Sequence, residues 1–278
     1  MPAGPPPITP ARFAALCVPH DAHPPIAAIA GAAVDSEDLV LQAADGTKFA
    51  ACAARAEKPD GVGVVVMPDV RGLFTFYEEL GLRFAEQGMN AVTIDYFGRT
   101  GGVGKRNDPE FQFMPHVMKT HPDAIAQDVR AAVDYLKSAA GGNCTRVFTV
   151  GFCFGGSSSW MQSAEAHGLA GAIGFYGHPG RVIQAMVSPE AAQGIKSCLE
   201  RVSAMKAPIL GLQAGLDQMI TQKDTDAFKA ALDAAGVPNE FKTYEGAPHS
   251  FFDRSFEEHK EASQDAWERV LAFIAKHR

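Results

Sequence analysis

The chain has 278 residues, 46% of them hydrophobic and 21% charged, with a net charge of −7 and five cysteines. That length suits one large domain or two small ones, and the composition is that of globular proteins rather than disordered or low-complexity chains. No basic stripe offers a nucleic-acid footprint, no segment nears the roughly 18 apolar residues of a spanning helix, and there is neither a signal-peptide pattern nor a CxxC pair.

The odd cysteine count argues against a disulfide framework and points to a reducing cytoplasm. His20, His23, His116 and His121 are too irregularly spaced to argue for a metal and read as solvated or capping residues. No metal and no organic cofactor are expected.

Residues 1–33 hold eight of the 18 prolines and read as an extended N-terminal arm, with residues 34–278 as the folded domain. DLVLQAA (38–44) and TKFAACAA (47–54), joined at Asp45-Gly46, predict an antiparallel hairpin. GVGVVVMP (61–68) is a continuous apolar run, the pattern of a strand buried on both faces. FYEELGLRFAEQG (76–88) is amphipathic and stops at Gly88. MNAVTID (89–95) is a further strand, followed by an aromatic- and glycine-rich loop at 96–119 in which Phe97, Phe111, Phe113 and Met114 are candidates either for an apolar pocket wall or for ordinary packing under a long loop.

A helix over 123–140 follows, then a strand at 145–151 and a helix from about 155. Strands at 169–177 and 208–215, a helix at 225–236, a strand at 240–246 and a last helix at 257–277 complete the pattern. Strands alternating with helices imply right-handed crossovers and a mostly parallel sheet covered on both faces. With an antiparallel hairpin in front, this predicts the α/β-hydrolase fold.

Reactive groups in such sheets sit beyond the C-terminal ends of strands. There the chain places Cys153 after strand 145–151, Asp217 after strand 208–215 and His249 after strand 240–246. Nucleophile, acid, histidine is the chain order of α/β hydrolases. GFCFGG (151–156) fits the nucleophile elbow G-x-Nu-x-G, in which small residues two before and two after relieve a strained turn.

The helix start beyond Cys153 favours a thiolate. The Phe154 and Val70 amides are the candidate oxyanion donors. Asp224 and Asp226 compete with Asp217 for the acid but sit where a helix begins and read as caps. His178, in YGHPG, is the alternative base.

On GFCFGG, on GLD ending in Asp217, on PHSF containing His249 and on PDVRGL (68–73), the chain resembles the dienelactone hydrolases over residues 36–277. The resemblance implies cofactor-free hydrolysis of a small-molecule ester or lactone through an acyl-thioenzyme, as in the breakdown of aromatic compounds, without nucleic acid or membrane as partner. It also implies a Glu beside the catalytic Cys, where this chain has Asp69, and two substrate-binding arginines. Arg99 falls at the first of these and Asp253 at the second, so Arg71 is a further candidate for substrate binding, with Phe251 as an apolar contact. The sequence leaves the oligomeric state open. A ligand-binding protein on the same fold and a thiol redox protein are the alternatives.

Overall fold

Strands that are apolar at every position need cover on both faces. β3 (Val62–Met67), β4 (Asn90–Ile94), β6 (Gly171–Phe175) and β7 (Ile209–Ala214) are buried throughout their length. The computed structural model describes residues 22–32, 34–188 and 190–278. Most of the proline-rich arm, with Cys17 and His20, lies outside them.

The eight strands form one sheet in the order β1-β2-β4-β3-β5-β6-β7-β8, the α/β-hydrolase arrangement. β1 (Val34–Gln42) and β2 (Lys48–Ala56) are antiparallel, and β3 to β8 run parallel, through β5 (Arg146–Phe152) to β8 (Asn239–Tyr244).

Helices α1 (Thr75–Glu86) and α5 (Lys260–His277) supply Phe84, Trp267 and Phe273 to the core on one face. α2 (Pro122–Lys137) supplies Val129, Val133 and Leu136 on the other. α3 (Phe154–Met161) and α4 (Gln222–Ala234) pack Trp160 against Phe228 and Leu232 near the β7 and β8 edge. Among the described residues no helix is long and apolar enough to cross a membrane.

The structure departs from the sequence reading in two places. β1 begins at Val34, four residues before the expected start, because it pairs with the full length of β2 from Val34–Ala56 to Gln42–Lys48. The segment between β6 and β7, left without elements in the sequence, contains helical turns at Ile183–Val187 and Cys198–Arg201. These are too short for periodicity to reveal.

For the loop at 96–119 the sequence left a pocket wall and ordinary packing open, and the structure shows packing. Phe97 and Met114 belong to the core, with Phe111 and Phe113 packed against it, rather than forming a pocket wall. A buried ion pair fastens this loop: Arg106 Nη2 lies 2.8 Å from Asp95 Oδ2, with side chains 6% and 0% exposed. Asp95 also accepts the N–H groups of Leu73 and Phe97, while Arg106 donates to the carbonyls of Gly101 and Gly102.

Removing one partner of such a pair leaves a buried charge without compensation. Arg106→Met is therefore expected to destabilise the protein by about 3–5 kcal/mol in urea unfolding. Arg130→Met, which removes an exposed pair with Asp134, is expected to cost less than about 1 kcal/mol in the same measurement.

Candidate active site

β5 ends at Phe152 and α3 begins at Phe154, so Cys153 alone makes the turn, with φ 55° and ψ −114°. The glycines around it have no alternative. A Cβ on Gly151 would stand 1.9 Å from the Gly155 carbonyl oxygen, and one on Gly155 would stand 2.1 Å from that of Met67. One on Gly156 would stand 2.5 Å from that of Phe175. The elbow thus lets α3 lie directly on the ends of β3 and β6. Cys153 is a half-buried free thiol at the turn.

Asp217 and His249 meet beyond β7 and β8. The His249 Nδ1–H donates to Asp217 Oδ2 at 2.6 Å, with side chains 5% and 1% exposed. The other carboxylate oxygen, Oδ1, accepts the N–H groups of Met219 and Ile220 at 2.8 and 3.2 Å, which fixes the carboxylate plane. Nδ1 is thereby the protonated nitrogen of the neutral ring, and Nε2 is buried without a hydrogen-bond partner.

Burial opposes a charge on His249, but Cys153 and Asp217 outweigh it and hold the imidazole well above its ordinary value. Sulfur and ring are close enough for this, yet no aligned hydrogen bond joins them at rest. Catalytic hydrogen bonds are often loose before substrate arrives.

Cys153, Phe154 and His249 open into one cavity. Its wall is largely apolar, with Ile125, Met161, Ile183, Met186, Met219 and Ile220 prominent. Phe154 and Val70, the two oxyanion candidates, lie where α3 abuts the loop after β3. Tyr176 packs its ring 5.0 Å from that of His249.

Other predicted residues are placed elsewhere. Asp69 is hydrogen-bonded to Arg71 rather than to Cys153 among the described residues: the Arg71 backbone N–H and guanidinium bind its carboxylate oxygens, with Nη2–Oδ2 at 2.9 Å. Both side chains are buried, and Arg71 also lies over the Phe74 ring at 4.1 Å. Arg99 is held by Asp128 at 2.7 Å and Asp45 at 2.9 Å, outside the cavity. Phe251 is fully buried against Tyr176 and Tyr244.

Asp253 is buried as well, accepting from Tyr176 Oη at 3.0 Å and from the Arg254 N–H. Burial, and then the Asp69 charge, push Asp253 up to about 6. His178 accepts hydrogen bonds from the Gly180 and Arg181 N–H groups at Nδ1 and faces Arg181 Nε at Nε2, so its ring is committed to its own loop. Asp224 closes a capping box with Thr221, as its position in the sequence implied.

Sequence reasoning missed Arg181, Met186 and Met219. The first stands in the YGHPGR run at the end of β6, where the strand-end rule would have found it. Among the described residues one group has metal-ligand spacing, Asp38, Cys52 and Glu78. Lys105 pairs with both of its carboxylates at 2.7 Å.

Residues 49–278 match the family model described as "Dienelactone hydrolase family". A protein of Methylorubrum extorquens bearing the assigned name carboxymethylenebutenolidase is 28% identical over 91% of this chain and 87% of its own length. A Bradyrhizobium protein, named for 2-oxo-3-(5-oxofuran-2-ylidene)propanoate lactonase activity, is 27% identical over 77% of this chain and 83% of its own. Among solved structures, one assigned as a dienelactone hydrolase from Klebsiella pneumoniae superposes with a TM-score of 0.73, at 24% identity over 87% of this chain and 99% of the other.

Since Asp217 helps to keep the His249 imidazole protonated, Asp217→Asn removes that support. The His249 ring resonance in an NMR titration is expected to move its midpoint to lower pH than in the wild type. An unchanged or higher midpoint would contradict the pairing.

Proposed function

The chain belongs to the dienelactone hydrolase family, and from that premise we propose that it hydrolyses carboxylic esters or lactones through a Cys153–His249–Asp217 triad. Membership makes it a dienelactone hydrolase-like hydrolase acting on esters or lactones. The observation that carries the finer reading is the buried Asp217–His249 contact at 2.6 Å, opening into the same cavity as the elbow thiol.

His249 Nε2 takes the thiol proton, and Cys153 Sγ attacks the ester carbonyl carbon. The tetrahedral oxygen gathers negative charge against the Phe154 and Val70 N–H groups. The alkoxide departs with the proton from His249, leaving an acyl-thioenzyme. Water then gives its proton to Nε2 and attacks the thioester, and the thiol leaves with that proton as the acid is released. Asp217 stabilises the imidazolium formed in both halves and holds its tautomer.

Cys52, Cys144, Cys153 and Cys198 are all free, which supports a reducing compartment such as the cytoplasm. The substrate is a small molecule of the size the cavity admits.

Cys153→Ala is expected to lower kcat/KM on p-nitrophenyl acetate by about a thousand-fold or more. Intact-protein mass spectrometry of the wild type, quenched during turnover, is expected to show one acetyl adduct on the Cys153 peptide. Wild-type turnover by the alanine variant would overturn the assignment.

A further inference from the structure

The cavity at the elbow has two lobes, and each is closed by its own hydrogen bonds. One lobe holds His249, together with Met219 and Ile220, whose N–H groups bind its partner Asp217. The other lies between the first turn of α2 and the helical turn Ile183–Val187. There Gln184 Nε2 donates to the Thr120 carbonyl at 3.0 Å and to that of Val117 at 3.3 Å, which fastens the short helix down as a roof.

The floor of this second lobe is α3. Cys153 caps its start, Ser157 follows one turn on, and Met161 stands at its end, so one helix face runs from the thiol along the floor. The walls are Phe154, Pro122, Ile125, Ile183 and Met186. Ile125 and Ile183 are buried, and Phe154 and Met186 pack against the same core. Past Cys153, no ionisable side chain lines this lobe among the described residues. Its two polar side chains, Thr120 and Gln184, bond to each other.

The lobes divide an ester between them. Its leaving oxygen has to lie within hydrogen-bond reach of His249 Nε2 to receive a proton, so the alcohol part occupies the lobe of His249 and the acyl chain takes the other. Resting on the hydrolase reading above, we propose that the second lobe is an acyl-chain site, that the substrates are esters of medium-chain acids with an apolar tail, and that Met161 sets their length. Cys153 and Met161 are eight residues apart on one helix, about 12 Å. A helical side chain leans back over about one turn toward the N-terminus, so the Met161 thioether leaves about 7 Å of that face open, room for about six acyl carbons. Met161 is 5% exposed and packed in the core beneath α3, which holds it as a stop. Methylenes short of it exchange water for apolar wall, and longer chains collide with it.

The test is the chain-length profile on p-nitrophenyl esters from acetate to dodecanoate. In the wild type kcat/KM is expected to rise about two- to four-fold per methylene, peak near hexanoate and fall by decanoate. Met161→Ala, which suits a helix, is expected to move the peak to a longer chain and to raise the decanoate-over-hexanoate ratio about ten-fold or more. Met161→Leu keeps the packed volume with a shorter reach and is expected to give an intermediate ratio. The ratio does not depend on how much of a variant is folded, so lost stability cannot imitate the shift. A flat wild-type profile, or one ratio shared by all three proteins, overturns the inference.

Calorimetric binding of neutral methyl ketones to Cys153→Ala, with and without Met161→Ala, reads the same lobe without turnover. 2-Heptanone is expected to bind the single variant more tightly than 2-undecanone, and the double variant is expected to reverse that order. This reversal supports the acyl site even if wild-type hydrolysis is absent and the hydrolase reading fails. An order that Met161→Ala leaves unchanged overturns the acyl site even if hydrolysis is found.

Discussion

Everything at this site depends on one backbone conformation, that of Cys153 at φ 55°. A residue with a Cβ resists the left-handed region, and holding one there costs on the order of 1–3 kcal/mol. The surroundings sustain it because the turn is enclosed. Gly151, Gly155 and Gly156 let the chain pass within contact distance of the Met67 and Phe175 carbonyls, where any side chain would collide. The close approach has a second effect. It draws the start of α3 against the loop after β3 and the end of β6, so the thiol, the Phe154 and Val70 amides and the loop carrying His178 and Arg181 are positioned by one packing event.

The strain continues around the cavity. Among the described residues four non-glycines have positive φ, and three of them, Cys153, Tyr176 and Ser250, border the site. Tyr176 directly follows β6, and Ser250 directly follows His249 in the loop after β8. Beneath them Phe152, Phe175 and Phe252 stack with ring centroids 4.6 to 5.6 Å apart. A rigid aromatic floor of this kind opposes the relaxation that would otherwise release the strained turns.

The fold and the triad candidates were legible in the sequence for physical reasons. Apolar runs such as Val62–Met67 mark buried strands whatever the tertiary detail, and GFCFGG carries its steric requirement in its glycines. The partners of charged side chains were not legible. Arg99 reads as a pocket residue until Asp128, distant in sequence and on α2, is seen to hold it at 2.7 Å. The aromatics of the 96–119 loop fit a pocket wall or ordinary packing equally well until Phe97 is seen in the core with Phe111 and Phe113 against it. Long-range ion pairs are formed by topology, and no local pattern announces them.

The Asp69–Arg71 pair changes how the thiol must be activated. The family resemblance implies a carboxylate that reaches the nucleophile directly. Here the side chain is a methylene shorter and folds back on its own loop, accepting from the Arg71 amide and guanidinium two residues on. Arg71 pairs with it at 2.9 Å, and the Asp69 charge is still felt by Asp253, Tyr77 and Tyr96. The second buried carboxylate, Asp253, is raised by burial and by Asp69, and spends its bonds on Tyr176 and its own backbone. Neither carboxylate is therefore placed to take a proton from Cys153. That task falls to the one buried nitrogen beside it with no other bond, His249 Nε2, whose basicity is sustained by an Asp217 oxygen 2.6 Å away at Nδ1. In the mechanism proposed above, proton transfer thus rests on the His–Asp pair, and the loop after β3 is left to hold its amides in place.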